Sequence, residues 1–475
     1  MTVLALAWLL LPVPTAARAL DVEVDSGTAF RVYEVRSDAA DVFWTRRRLI
    51  QQLELRAVQQ LAEPADEVGA LPPPRIQARV DLRLNQEFGS VCLIEDEGRC
   101  FAVTDSGMRT SYVPLADDGG IDLPMANVEV IDDAVGYRVA AGRQLYWDPI
   151  GMLRFDGARA RIEPSDWFAA DAYGGRLVRS SSVAGSDAFV PPGVRRVDLP
   201  ELAQQAADHV QPPVHTGSFG GGLWLGPDSL VRVGGHVREL RERGDVVERS
   251  AALSLSSSYL RPVRVDSHAV VDPIDGQLVD ALAALRARLG RVTPHVEMQR
   301  RVPRFDRGSI WAYFDVAPVT EAAAGVDVVA VRSAAWTMPT LRVGATLRGR
   351  HTELGAGDDD DDVGARGHVD LALARHRVIA SGFAWDGGLG GIWGADLQWE
   401  YRITRELTMS PRASAFRLAD GQGPRGEHIG MVEALQLSAP ATADADVAAE
   451  LVHSHGDGLG SRLGFMAWLH VGVWR

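Results

Sequence analysis

The chain contains no lysine; all 49 of its basic residues are arginine, set against 63 aspartates and glutamates. The resulting formal charge of −14 removes the net basic face that a general nucleic-acid binder needs. Two cysteines in 475 residues exclude a disulfide-rich scaffold and a four-cysteine zinc site. Beyond the first dozen residues, no apolar run approaches the roughly 18–20 residues of a membrane-spanning helix. No Gly-x-Ser-x-Gly, His-Glu-x-x-His or phosphate-loop motif occurs. At 46% hydrophobic and 24% charged residues, the chain is neither disordered nor fibrous.

What is present begins with an export signal. Residues 3–11 are continuously apolar, Pro12 and Pro14 break the run, and Ala17-Arg18-Ala19 is a small-x-small cleavage signature. No basic residue precedes the run, so either the amino terminus supplies the positive charge or translation starts upstream. The expected organisation is a signal peptide over 1–19, a short periplasmic segment over 20–40 and one large domain over 41–475.

Alternation defines that domain. Ile76, Ala78, Val80, Leu82 and Leu84 share one face of an extended segment, and Gln77, Arg79, Asp81, Arg83 and Asn85 share the other. The pattern returns in Val279–Leu289, in Leu341–Leu347 against Arg342, Thr346 and Arg348, and in Ala395–Ile403 against Asp396, Gln398, Glu400 and Arg402. Residues 279–289 and 46–61 also fit an amphipathic helix, but their period-two neighbours favour strands. Residues 199–210 stay open between helix and loop. Twenty-one segments of about ten residues, separated by Gly, Pro and Asp turns, fit an exported transmembrane barrel better than a soluble sandwich. The expected fold is therefore all-β, a transmembrane antiparallel up-and-down β-barrel. An even count of about 18 strands is expected, within roughly 16–22.

Long insertions at 89–121, 180–215, 303–323 and 351–365 are expected as extracellular loops, because periplasmic turns are short. The last contains Asp358–Asp362, read as a solvated acidic run or a hard-oxygen cation site; no calcium-loop spacing accompanies it. Cys92 and Cys100 flank seven residues of the first insertion. In an oxidising compartment that spacing suits a disulfide across a loop tip.

Candidate site residues lie on the polar faces. Arg79, Arg83, Arg138, Arg232, Arg238, Arg286, Arg288, Arg342, Arg348 and Arg402 are expected to point into the lumen, with Asp396 and Glu400 beside them. Charged rows lining a pore set ion preference, and the planar guanidinium suits carboxylate and phosphate groups. The competing role is pairing with Asp81, Asp280, Glu297, Asp370, Asp396 and Glu400 as wall-stabilising networks. Ser254, Ser256 and Ser258 form a further polar row opposite Ala251, Leu253 and Leu255. His453 and His455 share a strand face, but no third ligand accompanies them. The Gly387–Gly394 run lacks the strand-then-helix context of a phosphate loop and reads as a turn. No cofactor and no catalytic constellation are implied.

The last strand alternates Leu463, Phe465, Ala467, Leu469, Val471 and Val473 with Met466, Trp468, His470 and Trp474, and is similar to the C-terminal recognition strand of outer-membrane proteins. Gly142-Arg143-Gln144 followed by Phe155-Asp156-Gly157 resembles a pattern joining two adjacent strands in Gram-negative porin-like barrels, the class that includes alginate-export-like proteins. Phe305-Asp306 with Ser309-Ile310-Trp311 resembles a loop of the same class. The resemblance implies an outer-membrane pore and places Arg143, Gln144, Asp156 and Gly157 in the barrel wall. Strict alternation would put Arg143 on the apolar face with Tyr137 and Val139, which predicts a bulge that re-aims it. The function expected is a non-enzymatic porin-like channel for passive diffusion of small polar or charged solutes in the bacterial outer membrane. A plugged barrel with a structural or surface-adhesion role and an outer-membrane lipid hydrolase are the alternatives. Expected partners are outer-membrane lipid, small solutes, the barrel-assembly machinery through the C-terminal strand, and further copies of the chain should it form a homo-oligomer as many porins do; no nucleic acid is expected.

Overall fold

The computed structural model describes residues 20–37, 40–62, 72–87, 91–92, 94–96, 99–101, 119–178, 216–227, 229–259, 262–302, 317–331, 340–354, 359–388, 390–420, 427–442, 444–456 and 460–474. The expected signal peptide, residues 199–210 and the Phe305–Trp311 motif lie outside them. Every regular element among the described residues is a strand. They run β1 (Leu20–Ser37), β2 (Ala40–Gln60), β3 (Arg75–Glu87), the short β4 (Val91–Cys92), β5 (Ile94–Asp96) and β6 (Arg99–Phe101), then β7 (Gly119–Asp132), β8 (Tyr137–Asp148), β9 (Gly151–Ser165), β10 (Phe168–Leu177), β11 (Thr216–Leu225) and β12 (Val231–Glu242). The second half holds β13 (Asp245–Ser257), β14 (Val263–Asp272), β15 (Gln277–Ala287), β16 (Val292–Arg301), β17 (Val319–Val331), β18 (Thr340–Thr352), β19 (Asp360–Leu373), β20 (His376–Gly387), β21 (Gly390–Arg402), β22 (Thr408–Asp420), β23 (Glu427–Thr442), β24 (Ala445–Gly456) and β25 (Gly460–Trp474).

Long strands pair antiparallel in chain order, β7 following β3, and β1 pairs with β25 from Glu23↔Trp474 to Val35↔Arg462. Setting aside β4, β5 and β6, twenty-two strands close a barrel without an edge. This corrects the expected eighteen. All 21 segments read from the sequence coincide with barrel strands, and the one overlooked is β1, which had been assigned to a periplasmic segment. Its outward face, Val22, Val24, Ser26, Thr28 and Phe30, is too mixed to announce a strand. Pairing on both sides, with β2 and β25, fixes it in the wall.

The two faces differ as the alternation requires. Leu253, Leu347 and Val363 point outward and are 67%, 68% and 69% exposed. Such a surface has no reason to face water and every reason to face lipid. Rings mark its two margins. At the end of the barrel where β1 starts and β25 stops, His376 stacks on Tyr401 and Trp399 with centroids 4.7 and 5.8 Å away. Towards the opposite end, Trp393 carries the Arg417 guanidinium 5.7 Å above its ring. These are the aromatic girdles of a barrel in a bilayer.

The connections spanning 88–118, 178–215, 302–318 and 353–359 all leave the end away from the termini. That is the sidedness of an outer-membrane barrel, whose termini face the periplasm. The acidic run is only partly a connection. Asp360, Asp361 and Asp362 belong to β19, where Asp362 is buried against Arg350 in the lumen and Asp361 faces out to bond His351 Nδ1 at 2.8 Å. Cys92 and Cys100 have described backbone, opposite Phe43 and Glu95 respectively, but their side chains lie outside the described ones.

Candidate functional site: an infolded hairpin on an arginine-rich wall

β7 and β8 pair only between Asp132↔Tyr137 and Ala126↔Arg143. β9 and β10 pair no further than Phe155↔Leu177. Beyond that point residues 144–153 ladder only within the β8–β9 hairpin, and the Arg154 carbonyl accepts one last bond from the Val178 amide at 2.8 Å. Its side chains report where it goes. The Tyr146 hydroxyl donates to Asp171 Oδ2 at 2.8 Å, and its ring lies 4.7 Å from that of Tyr173. In the strand register Asp171 lies opposite Arg161, which lies opposite Arg138. Arg138 is eight residues from Tyr146, roughly 26 Å along a straight strand. The hairpin therefore folds into the lumen and lies across the wall from β9 towards β13. At its tip, Arg238 of β12 donates to the Ile150 carbonyl at 3.2 Å. Pro149 reaches a cavity of about 400 Å³ lined also by Arg161, Trp224, Arg232, Ser254 and Ser256.

The fold line has a local cause. Gly142 sits at φ +118°, and a Cβ there would meet the Ala126 carbonyl oxygen at 2.3 Å, so only glycine fits. Opposite it, Gly157 and Gly175 let β9 and β10 approach closely. Side chains then lock the bend. Arg143 gives Nε and Nη2 to the two oxygens of Asp156 at 2.7 and 2.8 Å, and Nη1 to the Leu123 carbonyl at 3.2 Å. Gln144 Nε2 donates to the carbonyls of Ala140 and Gly157 at 3.3 and 3.2 Å. The tip closes as an Asx turn, with Asp148 Oδ1 accepting from the Ile150 and Gly151 amides. The Gly-Arg-Gln and Phe-Asp-Gly motifs are thus the hinge of the hairpin. Arg143 does leave the lipid face, but through a fold of the whole hairpin instead of a one-residue bulge.

Beneath the hairpin, Tyr146, Leu153, Phe155 and Tyr173 form a small buried apolar cluster, Phe155 being fully covered. The floor is glycine-rich so that rings can lie flat. Tyr173 covers Gly220, His236 covers Gly222, and the Trp224 ring closes on Gly234. On the other hairpin face Trp147 and Met152, 67% and 57% exposed, look into the open lumen. Around the apolar cluster the wall is polar: Arg159 pairs with Asp171 at 3.3 Å, and the guanidinium of Arg161 lies 5.1 Å from the Trp224 ring centroid.

The residues singled out from sequence are distributed round the barrel, not gathered in one ring. Arg79 meets Glu54 at 2.7 Å, while Arg83, opposite Asp122, faces inward beside it. Arg232 and Arg238 lie on β12 under the hairpin, and Arg138 on the lumen face of β8. Arg286 faces inward between Arg264 and His295. Arg342 lies opposite Asp370, and Arg348 meets Glu321 at 3.1 Å. Asp396 accepts from Ser414 at 2.5 Å, and Glu400 lies 4.0 Å from Arg377. Arg402 ends β21. Arg288 is not in the wall: β15 stops at Ala287, and Arg288 belongs to the following turn, where its amide bonds the Pro262 carbonyl. His453 and His455 stack 5.2 Å apart on the outer face, beside Glu433. Sequence reading missed Tyr146, Arg159, Asp171, Tyr173 and His236. For the first four the only sequence signal was the run of aromatic and polar residues on the inward face of β8–β10, where an open lumen needs no aromatic cover; His236, on β12, had none.

The exterior is apolar and girdled by aromatics, the wall is closed, and the interior carries paired arginines and acids. The chain is a closed transmembrane β-barrel. No family model and no curated protein matches its sequence. Among solved structures, it is similar to Pseudomonas aeruginosa OccK9 (OpdG), at 9% identity and a TM-score of 0.47 over 96% of this chain and 98% of that one. A BenF-like porin from Pseudomonas fluorescens Pf-5 aligns at 7% identity and a TM-score of 0.47 over 96% and 99%. Acinetobacter baumannii OccAB4 aligns at 8% identity and 0.45 over 97% and 100%.

Proposed function

We propose that the barrel is a passive outer-membrane channel for small polar or charged solutes, narrowed from one side by the β8–β9 hairpin. The observation that supports this most directly is the lumen. A barrel of this size encloses more space than its side chains can fill. The hairpin takes up only the sector from β9 to β13. Elsewhere the wall arginines are largely compensated, as in Arg79–Glu54, Arg348–Glu321 and Arg377–Asp370. Paired charges line a wet path with little net field. The sector under the hairpin sets Arg159, Arg161, Arg232 and Arg238 against Asp171 and Glu163, which pair with the first three, and this excess of arginine gives the channel a modest anion preference. Insertion proceeds through the barrel-assembly machinery reading β25.

The test is single-channel recording of the refolded protein in a planar bilayer with a salt gradient. Discrete steps and a small anion-selective reversal potential, reduced in Arg161→Gln/Arg238→Gln, are expected. A folded, inserted protein without steps would replace the channel by a plugged barrel with a structural or adhesive role.

A further inference from the structure

The contact between hairpin and wall is poorly satisfied. Asp148 Oδ2, Asp171 Oδ1, Ser218 Oγ, the Tyr173 hydroxyl, Arg159 Nε, Arg238 Nε and both ring nitrogens of His236 are all buried without a hydrogen-bond partner. His236 and Ser218 are only 2% and 0% exposed. A native interior keeps few such groups, and each costs on the order of 1–3 kcal/mol. Asp148 lies at the tip of the hairpin; the others crowd one strip of wall, on β9 to β12, that the hairpin covers. The hairpin itself supplies that strip with two bonds, from Tyr146 to Asp171 and from Arg238 to the Ile150 carbonyl.

We propose that this strip is a solute-binding site, that the hairpin is its displaceable cover, and that its ligands are neutral, hydroxyl-rich molecules. The class follows from the inventory. Asp171 Oδ1 accepts only, and Arg159 Nε and Arg238 Nε donate only. Ser218, Tyr173 and neutral His236 do both. A simple anion offers acceptors alone and meets the Asp171 carboxylate. A simple ammonium ion offers donors alone and meets two guanidiniums. A hydroxyl donates and accepts, so a polyol answers the whole strip. The cover is built to move as a unit. Residues 144–153 ladder with no strand outside the hairpin, while the Gly142 bend and the Arg143–Asp156 pair hold its base.

The inference deepens the channel reading, and calorimetry tests it independently of conduction. Detergent-solubilised protein is titrated with sucrose, sodium acetate and methylammonium chloride. Three forms are compared: the parent, a form with residues 144–154 replaced by Asn-Gly, and His236→Phe, which keeps the ring over Gly222 and removes both nitrogens. Sucrose is expected to bind the parent and to bind the hairpin-less form about tenfold more tightly, since no cover has to be displaced. His236→Phe weakens it by up to about tenfold. Acetate and methylammonium do not compete with it. Equal sucrose affinity in parent and hairpin-less forms, absence of sucrose binding, or preferential binding of acetate each overturns the proposal. If the hairpin-less form fails the heat-shift assay for a folded barrel, His236→Phe decides: unchanged sucrose affinity refutes the site. Absence of conductance with sucrose binding intact would remove the channel and leave the site.

Discussion

The fold line at Gly157 makes the most quantitative claim about this barrel. An alanine Cβ there would lie 2.1 Å from the Gly174 carbonyl oxygen and 2.6 Å from Gly175 Cα. Carbon and oxygen do not approach below about 3 Å, so β9 and β10 must part by roughly 1 Å. Both obstacles are backbone and cannot rotate aside. Overpacking of this kind costs about 1–3 kcal/mol, and loss of one or two ladder bonds at Gly157↔Gly175 adds about 1 kcal/mol each. Gly157→Ala should therefore destabilise the barrel by about 2–5 kcal/mol and loosen the base of the hairpin. Gly27 is the control: it also faces the lumen, in β1, and a Cβ there meets nothing within 4 Å. Urea unfolding of both variants in detergent micelles, followed by the heat-dependent gel shift of intact barrels, measures the difference. A Gly157→Ala protein as stable as Gly27→Ala, within about 0.5 kcal/mol, would refute the close approach and with it the fold line.

Three further outcomes follow from the same geometry. Leu253→Arg places a charge on the lipid face and should cost about 2–4 kcal/mol in barrel stability, whereas Ser254→Arg, one residue on and facing the lumen, should be tolerated; equal effects would contradict the assigned orientation. Tyr146→Phe removes the hydroxyl that holds the hairpin to Asp171, worth about 1 kcal/mol, and should increase fluctuations of the single-channel current without changing the barrel's heat-shift temperature. Glu353, in the connection after β18, is held below the ordinary glutamate range chiefly by its hydrogen bond from Arg300, with desolvation opposing. Its contribution is present above the unfolded glutamate pKa and is lost as pH falls through the lower folded value. The stability gap between parent and Glu353→Gln should thus hold from neutral pH to about 5 and close in more acidic buffer, and a gap independent of pH would dismiss the pair.

Much of the barrel was legible from the chain alone. Every one of the 21 alternating segments became a wall strand, because period two is imposed by the strand itself and the bilayer enforces it on one face. Sidedness followed from connection length. Tertiary structure decided the rest. β1 has too mixed an outer face to announce itself, and only pairing with both β2 and β25 makes it the strand that closes the barrel. Arg143 and Asp156 obey the alternation of their strands, yet they end inside the lumen because Gly142 turns the hairpin over. The meeting of Tyr146 with Asp171, and of Arg238 with the tip of a hairpin 88 residues earlier, depends on that single bend. Periodicity is a property of neighbours along the chain and carries no information about a strand pair that leaves its sheet. The wall was therefore written in the sequence, and the obstruction within it was set by the fold.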